Sequence, residues 1–473
     1  LSACNRIDAA RNDQGRPFPT GPNVLLITID TLRADHVGAY GASGAETPAL
    51  DGLAAEGVLF ETAIAATPIT LPSHASILTG LTPPRHAVRQ NGIFRLDESY
   101  ETLAERFRDA GYDTGAVIGA IVLDARYGLD QGFEFYDWEM SSRRASETGY
   151  PERTAEEVTD VALRWLEARE RPFFLWLHYY DPHAAFRPPA SFEERFAGRL
   201  YDGEIAYVDQ QIERVFGALR RSSEWDRTLV VATSDHGESL GEHGERTHSY
   251  TLYDAVLKVP LVLRGPGIPA ARRVREVVAA IDLAPTILAR AGLAPLADAD
   301  GRDLAPLWEA KPGFEERPAY AETLAPQLDH GWAPLFAMRS DRHLYVRAPR
   351  AELYDVGEDP HQLTNLLEDP SQEASDTAAL LDRKVDTELA REREANRIDL
   401  DAATREQLRA LGYTLAEGPV QENRLDPKDG LRLVEPFLIA DAEYSLGRLE
   451  SAEGHARRLL EDLPESPQVH GLL

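Results

Sequence analysis

The sequence predicts an α/β protein with a doubly wound, mostly parallel sheet, a small C-terminal subdomain and an α-helical tail. Two continuous apolar runs rich in β-branched residues, 23–30 and 228–235, are typical of buried parallel strands. Amphipathic segments such as 155–169 and 203–219 lie between runs of this kind. Because strands and helices alternate from about residue 21 to 310, we expect a parallel sheet covered by helices on both faces.

The 473 residues are too many for one small core and divide into four predicted parts. Residues 1–20 are rich in charge, Gly and Pro and are expected to form a tether. Residues 21–366 form the main α/β domain, whose small C-terminal subdomain begins at about residue 318. Residues 367–430 are strongly charged and are expected to be a helical linker, and residues 431–473 form the last part.

The last part is similar to a tetratricopeptide repeat of about 34 residues. Ala440, Gly447 and Ala452 stand at its small-residue positions, and Pro464 stands at its closing proline. One repeat is visible, and stacked repeats normally need about three copies to bury their faces. Two interpretations stay open. Either the natural protein continues with further repeats that recruit a protein partner, or this pair of helices packs on the main domain as a hairpin with no binding role.

The charge of the chain limits its partners. Fifty basic residues against seventy-nine acidic residues give a net charge of -29, which disfavours nucleic acid and anionic membrane surfaces. No run approaches the roughly 18–20 apolar residues of a membrane span. We therefore expect contact with a membrane only through a lipid anchor.

The single cysteine is a candidate for that anchor. Cys4 closes the tetrapeptide Leu-Ser-Ala-Cys, which resembles a bacterial lipobox, in which the cysteine is acylated after cleavage. This resemblance implies an extracytoplasmic lipoprotein, periplasmic or in the cell envelope, without an internal disulfide. The alternative is that Cys4 is an idle residue of the tail.

Polar residues follow two of the predicted strands. Asp30 ends the first run, and Asp235 and His236 end the second. The carboxyl ends of parallel strands meet at one edge of an open sheet, which is where such folds bind ligands. Oxygen and nitrogen donors without a thiolate suit zinc, manganese or magnesium better than calcium. The sequence therefore predicts a site for one divalent ion, and a second ion stays open.

Six blocks, in this order along the chain, resemble those of the alkaline phosphatase superfamily and its sulfatase-like members. They are residues 23–41, 67–80, 173–183, 234–244, 252–267 and 352–366. The resemblance implies the same doubly wound fold with a small C-terminal subdomain. It also implies hydrolysis or transfer at phosphate or sulfate esters.

The second block contains the most informative departure from the family. Thr70 stands where sulfatases carry the cysteine that becomes formylglycine, and threonine cannot give that aldehyde. The resemblance then implies that Thr70 is the nucleophile and that its oxygen joins Asp30, Asp235 and His236 at the metal. Asp30-Thr31 and Asp235-His236 are similar to the pairs of phosphonate monoester and phosphodiester hydrolases and of phosphoethanolamine and lipoteichoic acid transferases.

Other site residues follow from the same resemblance. Asn91 matches an asparagine that binds a non-bridging oxygen of the substrate. His183 and His248 match a histidine and a lysine that hold the transferring group and its leaving oxygen, and His248 is also a candidate ligand for a second ion. His74 replaces an arginine and is expected to act behind the metal ligands or to cap a helix, whereas His178 is expected to be structural.

Three functional hypotheses follow. The favoured one is a metal-dependent hydrolase or transferase of phosphate-type esters, with a covalent intermediate on Thr70. Phosphodiesters or phosphonate monoesters are the expected substrates, carried on small molecules, lipids or glycans. They are preferred over phosphomonoesters, because few positive side chains that would match a dianion surround the motifs. The second is hydrolysis of sulfuric esters without formylglycine, and the third is a non-catalytic anchored scaffold that uses the repeat segment.

Overall fold

The structure is a computed structural model of the chain. It describes residues 19–140, 153–309, 311, 314–398, 424–445 and 449–462. Cys4, Gly447, Pro464 and most of the predicted tether lie outside these residues, so the lipobox-like motif and part of the repeat pattern stay predictions.

Thirteen strands form two sheets in the described part of the chain. The large sheet contains β1 (Asn23–Ile29), β2 (Val58–Ile64), β3 (Asp113–Ile118), β4 (Phe135–Asp137), β5 (Phe173–Tyr179), β6 (Thr228–Ser234), β7 (Lys258–Arg264), β8 (Arg272–Val274) and β9 (Val278–Ala279). The small sheet contains β10 (Ala319–Thr323), β11 (Leu335–Arg339), β12 (His343–Arg347) and β13 (Glu352–Asp355).

The large sheet has the order β4-β3-β5-β1-β6-β7-β2-β8, with β9 paired to β2. The pairs from β4 to β6 are parallel, and β7 runs antiparallel to both β6 and β2. Helices cover both faces, and the predicted doubly wound, mostly parallel α/β fold is confirmed. The central position of β1 explains its continuous apolar run, because alternate residues enter two different cores. Val24 and Leu26 join one core, and Leu25 and Ile27 join the other.

Fourteen α-helices are present in the described residues. They are α1 (Pro48–Glu56), α2 (Thr70–Thr79), α3 (Pro83–His86), α4 (Leu103–Asp109), α5 (Ala155–Ala168), α6 (Ala190–Arg195), α7 (Leu200–Arg221), α8 (Asp254–Leu257), α9 (Leu283–Ala291), α10 (Ala305–Trp308), α11 (Ala325–His330), α12 (Gln372–Leu389), α13 (Pro427–Ser445) and α14 (Leu449–Asp462). The predicted helices at 155–169 and 203–219 correspond to α5 and α7. Within the described residues, no helix combines the length and apolar character needed to cross a bilayer.

The small antiparallel sheet forms the expected C-terminal subdomain, and its first strand starts at Ala319. One face packs against the main core through residues such as Ala321 and Leu344. The other face is covered by α12, where Met338 and Tyr345 lie in one apolar cluster with residues of that helix. Part of the predicted linker is therefore packed against the subdomain.

The terminal hairpin α13–α14 has a small core of its own and a contact with the main domain. Phe437 and Ala440 of α13 pack with Ala456 of α14. On the other side, Leu431 joins a buried cluster that contains Trp332 and Ile69, the residue before Thr70. The hairpin starts at Pro427, four residues before the predicted boundary, and its first turns lie against the main domain.

The contact between α13 and Trp332 gives a stability prediction. Gly430 faces the indole of Trp332, which is 2% exposed, and an added Cβ would lie 2.5 Å from ring carbons. We expect Gly430→Ala to lower the free energy of unfolding by about 1–3 kcal/mol, as overpacking usually does. Thermal denaturation followed by tryptophan fluorescence measures the effect.

The matched control is Gly454→Ala in α14. Nothing lies within 4 Å of the added Cβ, and alanine is the better helix former by about 1 kcal/mol. This variant should be as stable as the natural chain or slightly more stable. Equal melting temperatures for both variants would contradict the docking of α13.

Candidate active site

The site begins with two carboxylates at the same sheet edge. Asp30 directly follows β1, and Asp235 directly follows β6. In the parallel register of these two strands, Ile29 lies opposite Ser234, so the two aspartates continue the pairing side by side. Both are fully buried. The two aspartates are about two hundred residues apart in sequence. The strand register therefore brings their carboxylates together.

Three carboxylate oxygens at this edge lack a hydrogen-bond partner among the described residues. They are both oxygens of Asp30 and Oδ2 of Asp235. Oδ1 of Asp235 instead accepts from the backbone N–H of His236 at 2.9 Å. Burial raises the pKa of Asp30 to about 7, which is the response of a carboxylate without a compensating cation. Unpaired buried oxygens of this kind favour a bound cation.

His236 completes a set of donors that fits a divalent ion. Its Nδ1–H donates to the carbonyl of Gly237 at 3.0 Å, so Nε2 carries the lone pair. Nε2 lies 3.4 Å from Oδ2 of Asp235 and 3.7 Å from Oδ1 of Asp30. Ligand atoms of these three residues all lie within 4.8 Å of one another. Two donors bound at about 2.0–2.2 Å from one tetrahedral ion lie roughly 3.3–3.6 Å apart, close to the two distances measured from Nε2.

Thr70 stands beside this set, at the first position of α2. Its Oγ1 lies 3.4 Å from Nε2 of His236. The N-terminus of a helix is the positive end of the helix macrodipole, which favours negative charge on a neighbouring oxygen. The structure thus brings together the four residues expected at the metal.

Asn91 contacts the residue that follows Thr70. Its Oδ1 accepts from the backbone N–H of Leu71 at 2.9 Å. The Nδ2 amino group is therefore the part of the side chain that can donate to a substrate oxygen.

His74 lies behind Thr70, and both of its ring nitrogens are occupied. Nδ1–H donates to the carbonyl of Thr70 at 2.8 Å, one turn earlier in the helix. Nε2 accepts from the hydroxyl of Thr28 at 3.0 Å, and Thr28 in turn accepts from Nε1–H of Trp176 at 2.9 Å. Burial lowers the pKa of His74 to about 3, so the ring is neutral. Although His74 lies 3.7 Å from Asp235, it has no free lone pair for a metal.

His178, which the sequence predicts to be structural, also lies in this cluster. It is the sixth residue of β5 and is paired with Thr28 of β1, so it shares a sheet face with Asp30. Its Nε2 is 3.5 Å from Oδ2 of Asp30. Neither ring nitrogen has a hydrogen-bond partner in the described part of the chain. Its position in the strand was the signal that could have indicated this contact, because alternate residues of β5 point to the same sheet face as Asp30.

His183 and His248 extend the site outward from the metal donors. The ring centroids of His236 and His248 are 4.5 Å apart, and those of His248 and His183 are 5.0 Å apart. Nδ1 of His248 lies 3.1 Å from Oε1 of Glu238, and Nδ1–H of His183 donates to the carbonyl of Ala184 at 2.6 Å. Nε2 of His183 is buried without a partner among the described residues.

Burial sets the electrostatics of His183, His248 and Glu238. Burial lowers the pKa of His248 to about 4 and the pKa of His183 well below its usual value, and it raises the pKa of Glu238 to about 8. The two imidazoles are therefore uncharged at neutral pH. Hydrogen bonding, and not permanent positive charge, is what these rings offer to a substrate.

Two arginines in or beside the motifs are held by acidic partners. Arg89, two residues before Asn91, forms ion pairs with Glu322 and Glu392. Arg33, three residues after Asp30, pairs with Asp35 and Glu242. Their charges are therefore compensated within the protein.

Comparison with known proteins matches most of the chain to one family of enzymes. The Sulfatase family model matches residues 22–293, and the model for the C-terminal part of N-sulphoglucosamine sulphohydrolase matches residues 241–391. The uncharacterized sulfatase YidJ of Escherichia coli is 26% identical, with 74% of this chain and 83% of that protein covered. The Delta 4,5-hexuronate-2-O-sulfatase of Bacteroides thetaiotaomicron is 25% identical, with 84% and 95% covered.

Among solved structures, the phosphonate monoester hydrolase of Agrobacterium radiobacter is similar, with a TM-score of 0.68 and 26% identity. The match covers 78% of this chain and 95% of that chain. The family model spans more than half of the 473 residues, including both strand-end carboxylates and Thr70. The chain therefore belongs to the sulfatase family of the alkaline phosphatase superfamily and is a hydrolase of ester bonds.

Proposed function

We propose that this protein is a metal-dependent hydrolase, or transferase, of phosphodiesters or phosphonate monoesters that forms a covalent intermediate on Thr70. The observation that supports the proposal most strongly is the position of Thr70 Oγ1. It lies at the N-terminus of α2 and 3.4 Å from Nε2 of His236, beside the unpaired oxygens of Asp30 and Asp235. A nucleophile at this point would face the donors that hold the cation.

Asp30, Asp235, His236 and Thr70 would hold one divalent ion in this hypothesis. Three oxygen donors and one imidazole suit zinc, manganese or magnesium better than calcium, which prefers six to eight oxygen ligands. The bound ion would supply positive charge that favours the Thr70 alkoxide and balances the charge on the substrate. Both aspartates are buried, so their charges would be compensated by the ion.

The side chains would act on the substrate in the following way. Thr70 Oγ1 forms a bond to phosphorus while the alcohol leaves from the opposite side. Nδ2 of Asn91 donates to a non-bridging oxygen, and His183 or His248 lies next to the leaving oxygen. Water, or an acceptor alcohol, then displaces Thr70 from the phosphorus.

The charge around the site favours a substrate with one negative charge at the reacting centre. His183 and His248 are uncharged, and Arg33 and Arg89 are compensated by carboxylates. A phosphomonoester carries about two charges near neutral pH and needs more positive charge around it. Diesters and phosphonate monoesters carry one. A lipid- or glycan-linked ester would agree with the anchor predicted at Cys4.

Hydrolysis of sulfate esters is the second candidate. It is favoured by the match to the Sulfatase family model and by relatives that are named as sulfatases. Sulfate monoesters also carry one negative charge, so electrostatics do not separate them from phosphodiesters. Threonine at position 70 favours phosphorus, because it cannot provide the formylglycine that the resemblance associates with sulfate hydrolysis. The phosphonate monoester hydrolase among the similar structures agrees with this preference.

Removal of the nucleophile tests the role of Thr70. We expect Thr70→Ala to lower kcat on an aryl phosphodiester by about 10³-fold or more, because the covalent route is lost. Thr70→Ser keeps a hydroxyl at the same atom and should retain part of the activity. Turnover by Thr70→Ala at the rate of the natural enzyme would exclude the threonine mechanism.

A matched substrate series tests the reaction class. The enzyme, supplied in turn with manganese, zinc, magnesium and calcium, is assayed on aryl phosphodiester, phosphonate monoester, phosphomonoester and sulfate. We expect kcat/KM to be highest for the diester or the phosphonate, because the site offers little charge for a dianion. The highest value on the sulfate would favour the second candidate. No turnover of any ester, together with no bound metal, would favour a non-catalytic scaffold.

Two variants test which residues hold the ion. Asp235→Asn keeps the size of the side chain but removes its charge, and we expect loss of the bound ion and of turnover. His74→Gln should keep one ion per chain, because neither nitrogen of His74 is free to bind it. It should lower the free energy of unfolding by about 1–3 kcal/mol, because it disrupts a buried hydrogen-bond chain.

The metal content after gel filtration and the melting temperature are measured for both variants. A folded His74→Gln variant without metal would make His74 a ligand. Full metal content and activity in Asp235→Asn would contradict the proposed site.

A further inference from the structure

We propose that His178 is a positioning residue, which donates Nε2–H to Oδ2 of Asp30 and so directs Oδ1 of that carboxylate toward the metal. This inference rests on the metal site of the proposed function. It assigns a role to a buried histidine that the mechanism above does not use.

The surroundings of His178 call for a polar partner. The side chain is fully buried on β5, and neither ring nitrogen has a hydrogen bond within the described residues. A buried polar group without a partner is costly, typically by about 1–3 kcal/mol. Oδ2 of Asp30 lies 3.5 Å from Nε2, a few tenths of an ångström beyond a hydrogen bond, and is itself unpaired. A small rotation of either group therefore satisfies both.

The two aromatic neighbours of His178 do not offer a free acceptor. Its ring meets the edge of His74 at a centroid distance of 4.9 Å and lies 6.5 Å from Trp176. The polar atoms of both neighbours are already used in the chain that runs through Thr28. An oxygen of Asp235 lies within 4.8 Å of a ring nitrogen of His178. Oδ2 of Asp30 lies 3.5 Å from Nε2, and this short distance makes it the acceptor assigned to His178.

The two oxygens of Asp30 face different imidazoles. Oδ1 lies 3.7 Å from Nε2 of His236, on the side of Asp235 and Thr70. Oδ2 lies 3.5 Å from Nε2 of His178. An ion shared by Asp30, Asp235 and His236 would therefore take Oδ1, while His178 holds the other oxygen.

The physical effect is to fix the rotation of the carboxylate before the ion arrives. Without the hydrogen bond, Asp30 can turn about its last torsion, and the ion must order it on binding. Groups that orient metal ligands in this way typically change metal affinity by about 10–100-fold when they are removed. His178 would thus act on the reaction only through Asp30.

The test is the dissociation constant for Mn²⁺, measured by titration of metal-free protein and followed by electron paramagnetic resonance. We expect His178→Leu to weaken binding by about 10–100-fold. His178→Gln places an amide N–H near the position of Nε2, and its affinity should be close to that of the natural protein. The readout is affinity, which does not depend on turnover.

The matched control is His86, another buried histidine, which is hydrogen-bonded to Ser76 and does not belong to the metal cluster. His86→Leu and His86→Gln should change the melting temperature without a selective change in Mn²⁺ affinity. Equal affinities for His178→Leu and the natural protein would overturn the inference. So would weakening of the same size in His86→Leu.

The absorption spectrum of the cobalt-substituted protein separates positioning from direct ligation and does not require the leucine variant to fold. If His178 positions Asp30, His178→Gln gives the same cobalt spectrum as the natural protein. A changed spectrum with weakened binding would make His178 a ligand and overturn the inference. If the natural protein binds neither Mn²⁺ nor Co²⁺, the proposed metal site fails first, and the inference fails with it.

Discussion

The structure depends on the parallel pairing of β1 with β6, which holds two buried carboxylates side by side without a cationic side chain between them. Asp30 and Asp235 are fully buried, and three of their four oxygens lack a partner among the described residues. Such an arrangement is unfavourable in an empty protein and favourable around a divalent ion. The surrounding elements are arranged about this point, since β6 continues into His236 and α2 begins at Thr70.

A satisfied hydrogen-bond chain lies directly beneath the unsatisfied set. Trp176, Thr28 and His74 are linked in series and end at the carbonyl of Thr70. Every polar group in this chain has a partner, so it stiffens the first turn of α2. The paired polar groups therefore hold Thr70 in place, whereas three carboxylate oxygens of Asp30 and Asp235 have no partner among the described residues.

The C-terminal hairpin also reaches the neighbourhood of Thr70. The cluster that contains Leu431 of α13 includes Trp332 and Ile69, and Ile69 precedes Thr70 directly. The helical hairpin is thus in contact with the main domain at the site. Of the two interpretations of the repeat-like segment, the packing of a hairpin on the main domain is the one visible in the described residues. Recruitment of a partner stays a prediction.

Local patterns in the amino-acid sequence predict the buried strands and the candidate site residues. Apolar runs predicted the buried strands, and the carboxylates at their ends and the frame around Thr70 indicated the donors and the nucleophile. Local patterns suffice for this, because a strand that is buried on both faces must be apolar along its length. The contacts of His74 and His178 are visible only in the folded chain. Whether a buried imidazole has partners depends on strand register and on neighbours distant in the chain, such as Trp176 and Asp30, which no local pattern encodes.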